Sequence, residues 1–175
     1  MPLKIIQRLQ FQRLNKRKHF VHSSIAWQDT KSFILFISPQ NVNEAVCITK
    51  FIDTLKKHTT RVKVLEFLKS KKEPSLLPYT YERTRIDNSQ TNLLGIPKYS
   101  AVEMFIDQHF DVSIDLTPKD NIAAQYLCCA MDITMRVGIH DSNWDCYELV
   151  IPDIYGNLNE QNLLSIIHYL QKIRP

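Results

Sequence analysis

The stretch from Phe110 to Gly138 constrains the fold of this chain more than any other. It opens with the apolar and acidic run Phe110–Leu116, continues through a helical segment that starts at Pro118, and ends in the apolar run Thr134–Val137. An apolar strand, a helix and a second apolar strand in so short a stretch are typical of one β–α–β unit of a parallel sheet. The chain is therefore predicted to be an α/β protein.

Segments outside this unit show the same alternation. Strands are predicted over 32–38, 62–68, 111–116, 134–137 and 146–151, and helices over 42–58, 100–109, 118–131 and 159–173. Ser100 and Glu103 have the spacing of a capping box. Leu93-Leu94 is the candidate for a further short strand, and a short loop before 146–151 leaves an antiparallel edge strand open there. The segments predict a mostly parallel sheet of about five strands with helices on both faces.

The charge of the chain is distributed unevenly. The first 28 residues hold six cationic side chains and no acidic one, whereas the remainder holds 16 Lys and Arg against 18 Asp and Glu. We therefore divide the chain into a basic helical arm, residues 1–20, and a single α/β domain, residues 21–175. The cations of the arm are Lys4, Arg8, Arg13, Lys16, Arg17 and Lys18.

A basic arm on a slightly acidic body favours an anionic partner. The leading hypothesis is a non-catalytic binding module that these six cations dock on RNA or on a ribosomal surface. Two alternatives stay open: the helix predicted over 3–18 packs on the domain, or it contacts another protein. No apolar run reaches the length of about 18 residues that a transmembrane helix needs, so no membrane span is predicted.

A second candidate site lies where the predicted strands end. In an open parallel sheet, ligands bind in the crevice beyond the carboxyl ends of the strands. The polar residues expected there are Ser38, Asn41, Asp115, Thr117 and Asn121, with Gln40, Lys119 and Asp120 beside them. They support an alternative function, an enzyme or sensor that binds a small molecule or a nucleotide sugar. Helix capping and solvation explain the same residues.

Known catalytic and cofactor patterns are missing from the sequence. Only three glycines occur, Gly95, Gly138 and Gly156, and none joins a predicted strand to the helix that it feeds. A glycine-rich phosphate loop is therefore not expected. The histidines show no metal-ligand spacing, and no nucleophile elbow is present. We accordingly predict no catalytic residue, no metal and no cofactor.

Four cysteines, Cys47, Cys128, Cys129 and Cys146, occur without a CxxC pair. Cys128 and Cys129 are neighbours on a predicted helix, where their side chains diverge by about 100° and do not readily pair with each other. Buried, reduced thiols in a cytoplasmic protein are the expected state. The N-terminus also lacks the continuous apolar core of a signal peptide.

The order of these segments resembles a known family. Trp27-Gln28-Asp29 leads into the first strand, Leu93–Pro97 precedes a helix, and Phe110–Leu116 with Arg136-Val137-Gly138 completes the pattern. From about residue 20 to residue 172 the chain is similar to an uncharacterised family of small cytoplasmic proteins from Bacteroidota, a domain of unknown function. The resemblance implies a Rossmann-like three-layer sandwich and assigns no catalytic residue.

A more distant similarity concerns the Phe-Asp-x-x-Ile-Asp strand ahead of a Val-Gly pair. The N-terminal half of heptosyltransferase-type glycosyltransferases carries the same combination. Those enzymes close two such domains around a nucleotide sugar, whereas one such domain is found in this sequence. The similarity therefore implies a shared fold only.

Overall fold

The computed structural model describes residues 24–78, 83–140, 146–151 and 158–174. The basic arm, residues 1–20, lies outside the described residues. The strands are β1 Ser32–Ile37, β2 Arg61–Leu68, β3 Thr84–Asp87, β4 His109–Leu116, β5 Asp132–Gly138 and β6 Leu149–Val150. The helices are α1 Val42–His58, α2 Tyr99–Val102, α3 Ile122–Ala130 and α4 Glu160–Lys172.

The six strands form one sheet in the order β3-β2-β1-β4-β5-β6. All pairings between them are parallel. The chain starts in the middle at β1, builds outward through β2 and β3, and then returns to the other side of β1 to add β4. This is the Rossmann strand order, and it creates a topological switch point between β1 and β4. The predicted α/β fold is confirmed, with six strands instead of about five.

Helices cover both faces of the sheet because the central strand is apolar on both sides. Phe33, Leu35 and Ile37 of β1 face the layer formed by α1 and α4. Ile34 and Phe36 face the opposite layer, formed by α2 and α3. All five side chains are fully buried. Each such burial contributes about 1.5–3 kcal/mol, so β1 is the axis on which the two cores are built.

Helix α1 has the bounds that its sequence predicts, because its capping residues act as expected. The Asn41 side chain accepts a hydrogen bond from the Glu44 backbone N–H at 2.9 Å. Lys56, Lys57 and His58 occupy the last turn, where cations favour the negative end of the helix dipole.

Two predictions for the irregular connection 69–98 and the helix after it are wrong. Leu93-Leu94 is a turn, in which the Asn92 side chain accepts from the Leu94 and Ile96 N–H groups and Gly95 has a φ of 76°. The strand of this region is β3, which lies earlier. Helix α2 has one turn, and Lys98 precedes it without a side-chain cap, so the predicted capping box does not form.

The edge strand and two of the cysteines also differ from expectation. Cys129 and Cys146 form a disulfide, whereas Cys47 and Cys128 are free. The bond holds residue 146 against α3, whose last turn lies toward the amino end of the sheet. The chain therefore enters β6 in the same direction as β5, and the antiparallel alternative for this strand is wrong.

Candidate ligand crevice at the carboxyl edge

An open crevice of about 430 Å³ lies on the α3 side of the sheet, at its carboxyl edge. Residues that follow β1, end β2 and β3, or begin α3 form its walls, and the loop after β3 contributes Thr91 and Gly95. The crevice therefore sits beside the switch point, where an open α/β sheet binds ligands. Its volume falls within the range of about 300–1,000 Å³ that is typical of small-molecule sites.

The floor of the crevice is apolar. Phe67 and Ile86 close it from the ends of β2 and β3, while Ile122 and Ala123 of the first turn of α3 face them. Phe67, Ile86 and Ala123 are nearly inaccessible to solvent, because they belong to the core beneath α3. A ligand with a flat or weakly polar ring face would find its complement in this floor.

One side of the mouth is formed by a chain of hydrogen-bonded side chains. The Ser38 hydroxyl donates to the Phe67 carbonyl at 3.0 Å, and the Gln40 amide donates to the Ser38 carbonyl at 2.6 Å. Lys69 Nζ donates to Gln40 Oε1 at 3.4 Å. The ends of β1 and β2 are thus tied to each other, and Lys69 supplies the cation of the crevice lining.

Two carboxylates also line the crevice. Asp87 ends β3, and its Oδ1 accepts hydrogen bonds from the Ser89 N–H and hydroxyl at 2.7 and 2.6 Å. The hydroxyl of Ser89 and the nearby charge of Lys71 hold the pKa of Asp87 below its usual value, so the group is a carboxylate at neutral pH. Asp120 lines the crevice just before α3 and is exposed.

Two of the five predicted crevice residues lie in its lining, Ser38 and Asn121. Asn121 caps α3 by accepting a hydrogen bond from the Ala124 N–H at 3.1 Å. Asn41 caps α1 outside the lining. Asp115 and Thr117 are buried in the scaffold beside it. The structure therefore brings part of the predicted set together and places the rest in structural roles.

The N-terminus of α1 is occupied by a side chain of the helix itself. In Rossmann folds that bind dinucleotides, the pyrophosphate sits at the helix that follows the first strand. Here Glu44 Oε2 accepts the Gln40 backbone N–H at 2.9 Å, and Glu44 Oε1 accepts from the Asn41 amide at 3.1 Å. Glu44 is buried. Its carboxylate thus accepts one backbone donor at this helix end and places a negative charge where a phosphate would otherwise be attracted.

Asp115 belongs to a buried cluster at the ends of β4 and β5. The Tyr147 hydroxyl donates to its Oδ2 at 2.6 Å, and the Thr117 N–H and hydroxyl donate to its Oδ1 at 2.9 and 2.7 Å. Burial still dominates and raises the pKa of Asp115, because these donors do not replace the lost hydration in full. Burial and the neighbouring Asp115 also raise the pKa of Tyr147.

Asp111, the first acid of the Phe110–Leu116 run, fastens the other end of the same strand. Its Oδ2 accepts from the Lys31 N–H, the Ser32 N–H and the Ser32 hydroxyl, at 2.8, 2.8 and 2.9 Å. Partial burial alone would raise the pKa of Asp111, but these hydrogen bonds outweigh it and lower the pKa. The two acids of the run therefore have structural roles: Asp111 joins β4 to the start of β1, and Asp115 anchors Tyr147.

Two further buried ion pairs explain charges that the sequence leaves unassigned. Glu66 of β2 is fully buried and accepts from Arg83 Nε at 2.9 Å, while the Arg83 guanidinium also donates to the Pro78 carbonyl at 2.8 Å. Arg136 pairs with Glu148 at 3.2 Å. Arg83 thus joins β2 to the residues that precede β3.

The free cysteine nearest to these clusters is unsuited to nucleophilic chemistry. Cys128 is fully buried, and burial followed by the charge of Asp115 raises the pKa of its thiol to about 12. A thiol with such a pKa carries almost no thiolate at neutral pH. The described residues of the crevice lining likewise place no histidine or cysteine beside Ser38 or Thr91.

Lys69 and Asp87 line the crevice but are not among the residues that the sequence predicts there. The strand that ends in Asp87 gives no clear sequence pattern, because Thr84–Asp87 is short and Ile86 is its one buried apolar residue. In the part of the chain that the structure describes, no three or more His, Cys, Asp or Glu side chains are grouped to hold a metal ion. No helix among those residues is long and apolar enough to cross a membrane.

A comparison with protein families agrees with the resemblance of this sequence to an uncharacterised family. Residues 3–173 match the model of a family of unknown function, DUF6913. The match includes most of the basic arm together with the α/β domain. No curated protein and no solved structure matches the chain. Since nearly the whole length is covered, the chain belongs to the family of unknown function DUF6913.

Proposed function

We propose that this chain is a ligand-binding protein whose crevice at the carboxyl edge takes a small organic molecule. The observation that carries the proposal is the position of the crevice: the ends of β1, β2 and β3 and the start of α3 meet in one cavity beside the switch point. An apolar floor with a few convergent polar groups around it is the usual composition of such sites. A sensor or an enzyme would both begin with this binding step.

A thermal-shift screen tests this proposal. The panel holds nucleosides, nucleotides, nucleotide sugars, free sugars and amino acids, each at millimolar concentration. A ligand present at about 100 times its Kd stabilises a protein by about 2.7 kcal/mol, which raises Tm by several degrees. Failure of the whole panel to raise Tm would leave the proposal without support.

A pair of matched variants locates the binding. Thr91→Trp places a large ring in the crevice, because Thr91 lies in its lining. Thr54→Trp adds the same ring to the exposed face of α1, away from the crevice. We expect the ligand-induced shift in Tm to be lost in Thr91→Trp and retained in Thr54→Trp. Equal shifts in both variants would place the ligand elsewhere.

Docking on RNA or a ribosomal surface is a second candidate function. It is favoured by the six cations of the arm, Lys4, Arg8, Arg13, Lys16, Arg17 and Lys18, on a body that holds 16 cations against 18 acids. Such binding would weaken steeply with salt, because neutralised phosphates release counterions. The family model begins at residue 3, so the arm belongs to the matched region.

Removal of residues 1–18 tests the second candidate. We expect binding to single-stranded RNA or ribosomes to disappear while the domain stays folded. If all six cations contact phosphate, the logarithm of the binding constant should fall with the logarithm of salt concentration with a slope of about −4. Lys71→Gln with Lys72→Gln, on the body, serves as the control. Unchanged sedimentation of the truncated protein with RNA would refute this function.

Four finer interpretations stay proposals. The arm could contact another protein or a second copy, which size-exclusion chromatography of the truncated form would reveal. A cytoplasmic location and an origin of the family in Bacteroidota follow from the sequence resemblance. The similarity to heptosyltransferase-type glycosyltransferases is the reason for including nucleotide sugars in the panel.

A further inference from the structure

The charged groups of the crevice lining disfavour a polyanionic ligand. Among the described residues of the lining, Lys69 is the one cation, and its Nζ lies 3.4 Å from Gln40 Oε1. Asp87 and Asp120 are the carboxylates. A phosphate ester placed between them would meet two negative charges and one positive charge. Like charges repel each other, so such a ligand would bind less tightly than an uncharged one.

The helix end that usually attracts phosphate at this position offers no compensation. Glu44 already accepts the Gln40 N–H at the start of α1, and its buried carboxylate faces the dipole of that helix. Asp120 stands directly before the cap of α3 and places a second carboxylate near the start of that helix. The N-termini of α1 and α3 thus each have a carboxylate of the protein beside them, which makes them less attractive to a phosphate.

Asp87 is in contrast well placed to bind hydroxyl groups. Its Oδ1 is held by the N–H and hydroxyl of Ser89, which fixes the orientation of the carboxylate. The Gln90 N–H also donates to this carboxylate, which caps the short 3₁₀ helix Asn88–Gln90. A carboxylate has about four acceptor positions, so these three donors leave it able to accept from a ligand hydroxyl, and such charge-assisted bonds are stronger than neutral ones. The apolar floor of Phe67, Ile86 and Ile122 complements a ring beside those hydroxyls.

We infer that the crevice selects an uncharged ring compound with neighbouring hydroxyl groups, such as a nucleoside, and disfavours its phosphate esters. This inference rests on the proposed ligand-binding function and narrows its ligand class. The ring lies on the apolar floor, and the hydroxyls donate to Asp87. A volume of about 430 Å³ accommodates a ligand of nucleoside size.

Isothermal titration calorimetry with adenosine and uridine, and with their 5′-monophosphates, tests the inference on the full chain. We expect each nucleoside to bind at least tenfold more tightly than its monophosphate. Asp87→Asn keeps an oxygen for the Ser89 donors but removes the charge. It should weaken nucleoside binding by about 10–100-fold, as expected for the loss of a hydrogen bond to a charged group. Asp107→Asn, on an exposed turn outside the lining, should change nothing.

Three other results would overturn the inference. A monophosphate that binds as tightly as its nucleoside would overturn the inference and leave the crevice a ligand site. Equal nucleoside affinities in Asp87→Asn and Asp107→Asn would also overturn it. If no nucleoside binds, the inferred class of ligand is wrong. The proposed ligand-binding function fails as well only if no compound of the wider thermal-shift panel raises Tm.

Discussion

Tyr147 and Gly138 are in contact so close that only glycine fits at position 138. A Cβ atom built on Gly138 would lie 2.6 Å from two carbons of the Tyr147 ring. The ring in turn places its hydroxyl on Asp115. The Val-Gly pair of the sequence pattern thus has a packing reason: the missing side chain makes room for the tyrosine that covers Asp115.

We therefore expect Gly138→Ala to destabilise the protein by about 1–3 kcal/mol, the usual cost of overpacking a core. Urea denaturation followed by circular dichroism measures the effect. In a Tyr147→Leu background the same substitution should cost less, because the smaller side chain leaves room for the added methyl group. Equal costs in both backgrounds would show that the ring contact is not the cause.

The two acids of β4 should give the stability opposite dependences on pH. Because the folded-state pKa of Asp115 is raised, its contribution is fully present below the unfolded pKa and is lost as the pH rises through the folded pKa. The folded-state pKa of Asp111 is lowered, so its contribution is present above the unfolded pKa and is lost as the pH falls. The pH range over which the Asp115 contribution is lost begins near 3.8 and extends upward. The range over which the Asp111 contribution is lost begins near 3.8 and extends downward.

The free energies of unfolding of Asp115→Asn and Asp111→Asn, measured from pH 3 upward, test these opposite pH dependences. Relative to the unchanged protein, Asp115→Asn should gain stability as the pH rises, since it removes a carboxylate that is costly to ionise in the core. Asp111→Asn should lose stability relative to the unchanged protein as the pH rises toward 3.8, because the pKa of Asp111 is lowered from that value. Parallel profiles for the two variants would contradict the opposite shifts in pKa.

Among the elements, the segment that enters β6 depends most on side chains. Strand β6 has two residues, and three consecutive side chains secure the chain before it: Cys146 to Cys129, Tyr147 to Asp115, and Glu148 to Arg136. The disulfide closes a loop with a sequence separation of 17 residues. A cross-link over a loop of this length contributes about 3 kcal/mol.

Alkylation of the denatured protein followed by intact mass measurement tests the disulfide. Without reductant, two of the four cysteines should react, Cys47 and Cys128, and with reductant all four should react. Reductant should also lower the free energy of unfolding by about 2–4 kcal/mol. Reaction of all four thiols before reduction would contradict the bond.

The sequence predicts the long elements well and the short ones poorly. Helix α1 and strands β1 and β4 are long and strongly patterned, and their bounds follow from apolar runs and capping residues. Strand β3 is short and half-exposed, so its single buried residue, Ile86, gives no periodic signal. Helix α2 has only one turn, Tyr99–Val102, which is too short to show a helical periodicity in the sequence.

At the scale of the whole molecule, the sequence indicates where a ligand would bind but not which side chains would meet it. The parallel sheet and its carboxyl edge follow from patterning, and Ser38 and Asn121 lie in the crevice lining. Asp115 depends on Tyr147, a partner 32 residues away. Glu66 depends on Arg83, a partner 17 residues away. Such long-range pairings leave no local trace in a sequence.

An NMR titration tests most directly whether the crevice beside the switch point holds a ligand. Adenosine is added to the ¹⁵N-labelled protein while the backbone amides are followed. We expect the largest shifts on Lys69, Asp87, Asn88 and the first turn of α3, around the cavity. Shifts confined to α1 or α4, on the other face of the sheet, would contradict it.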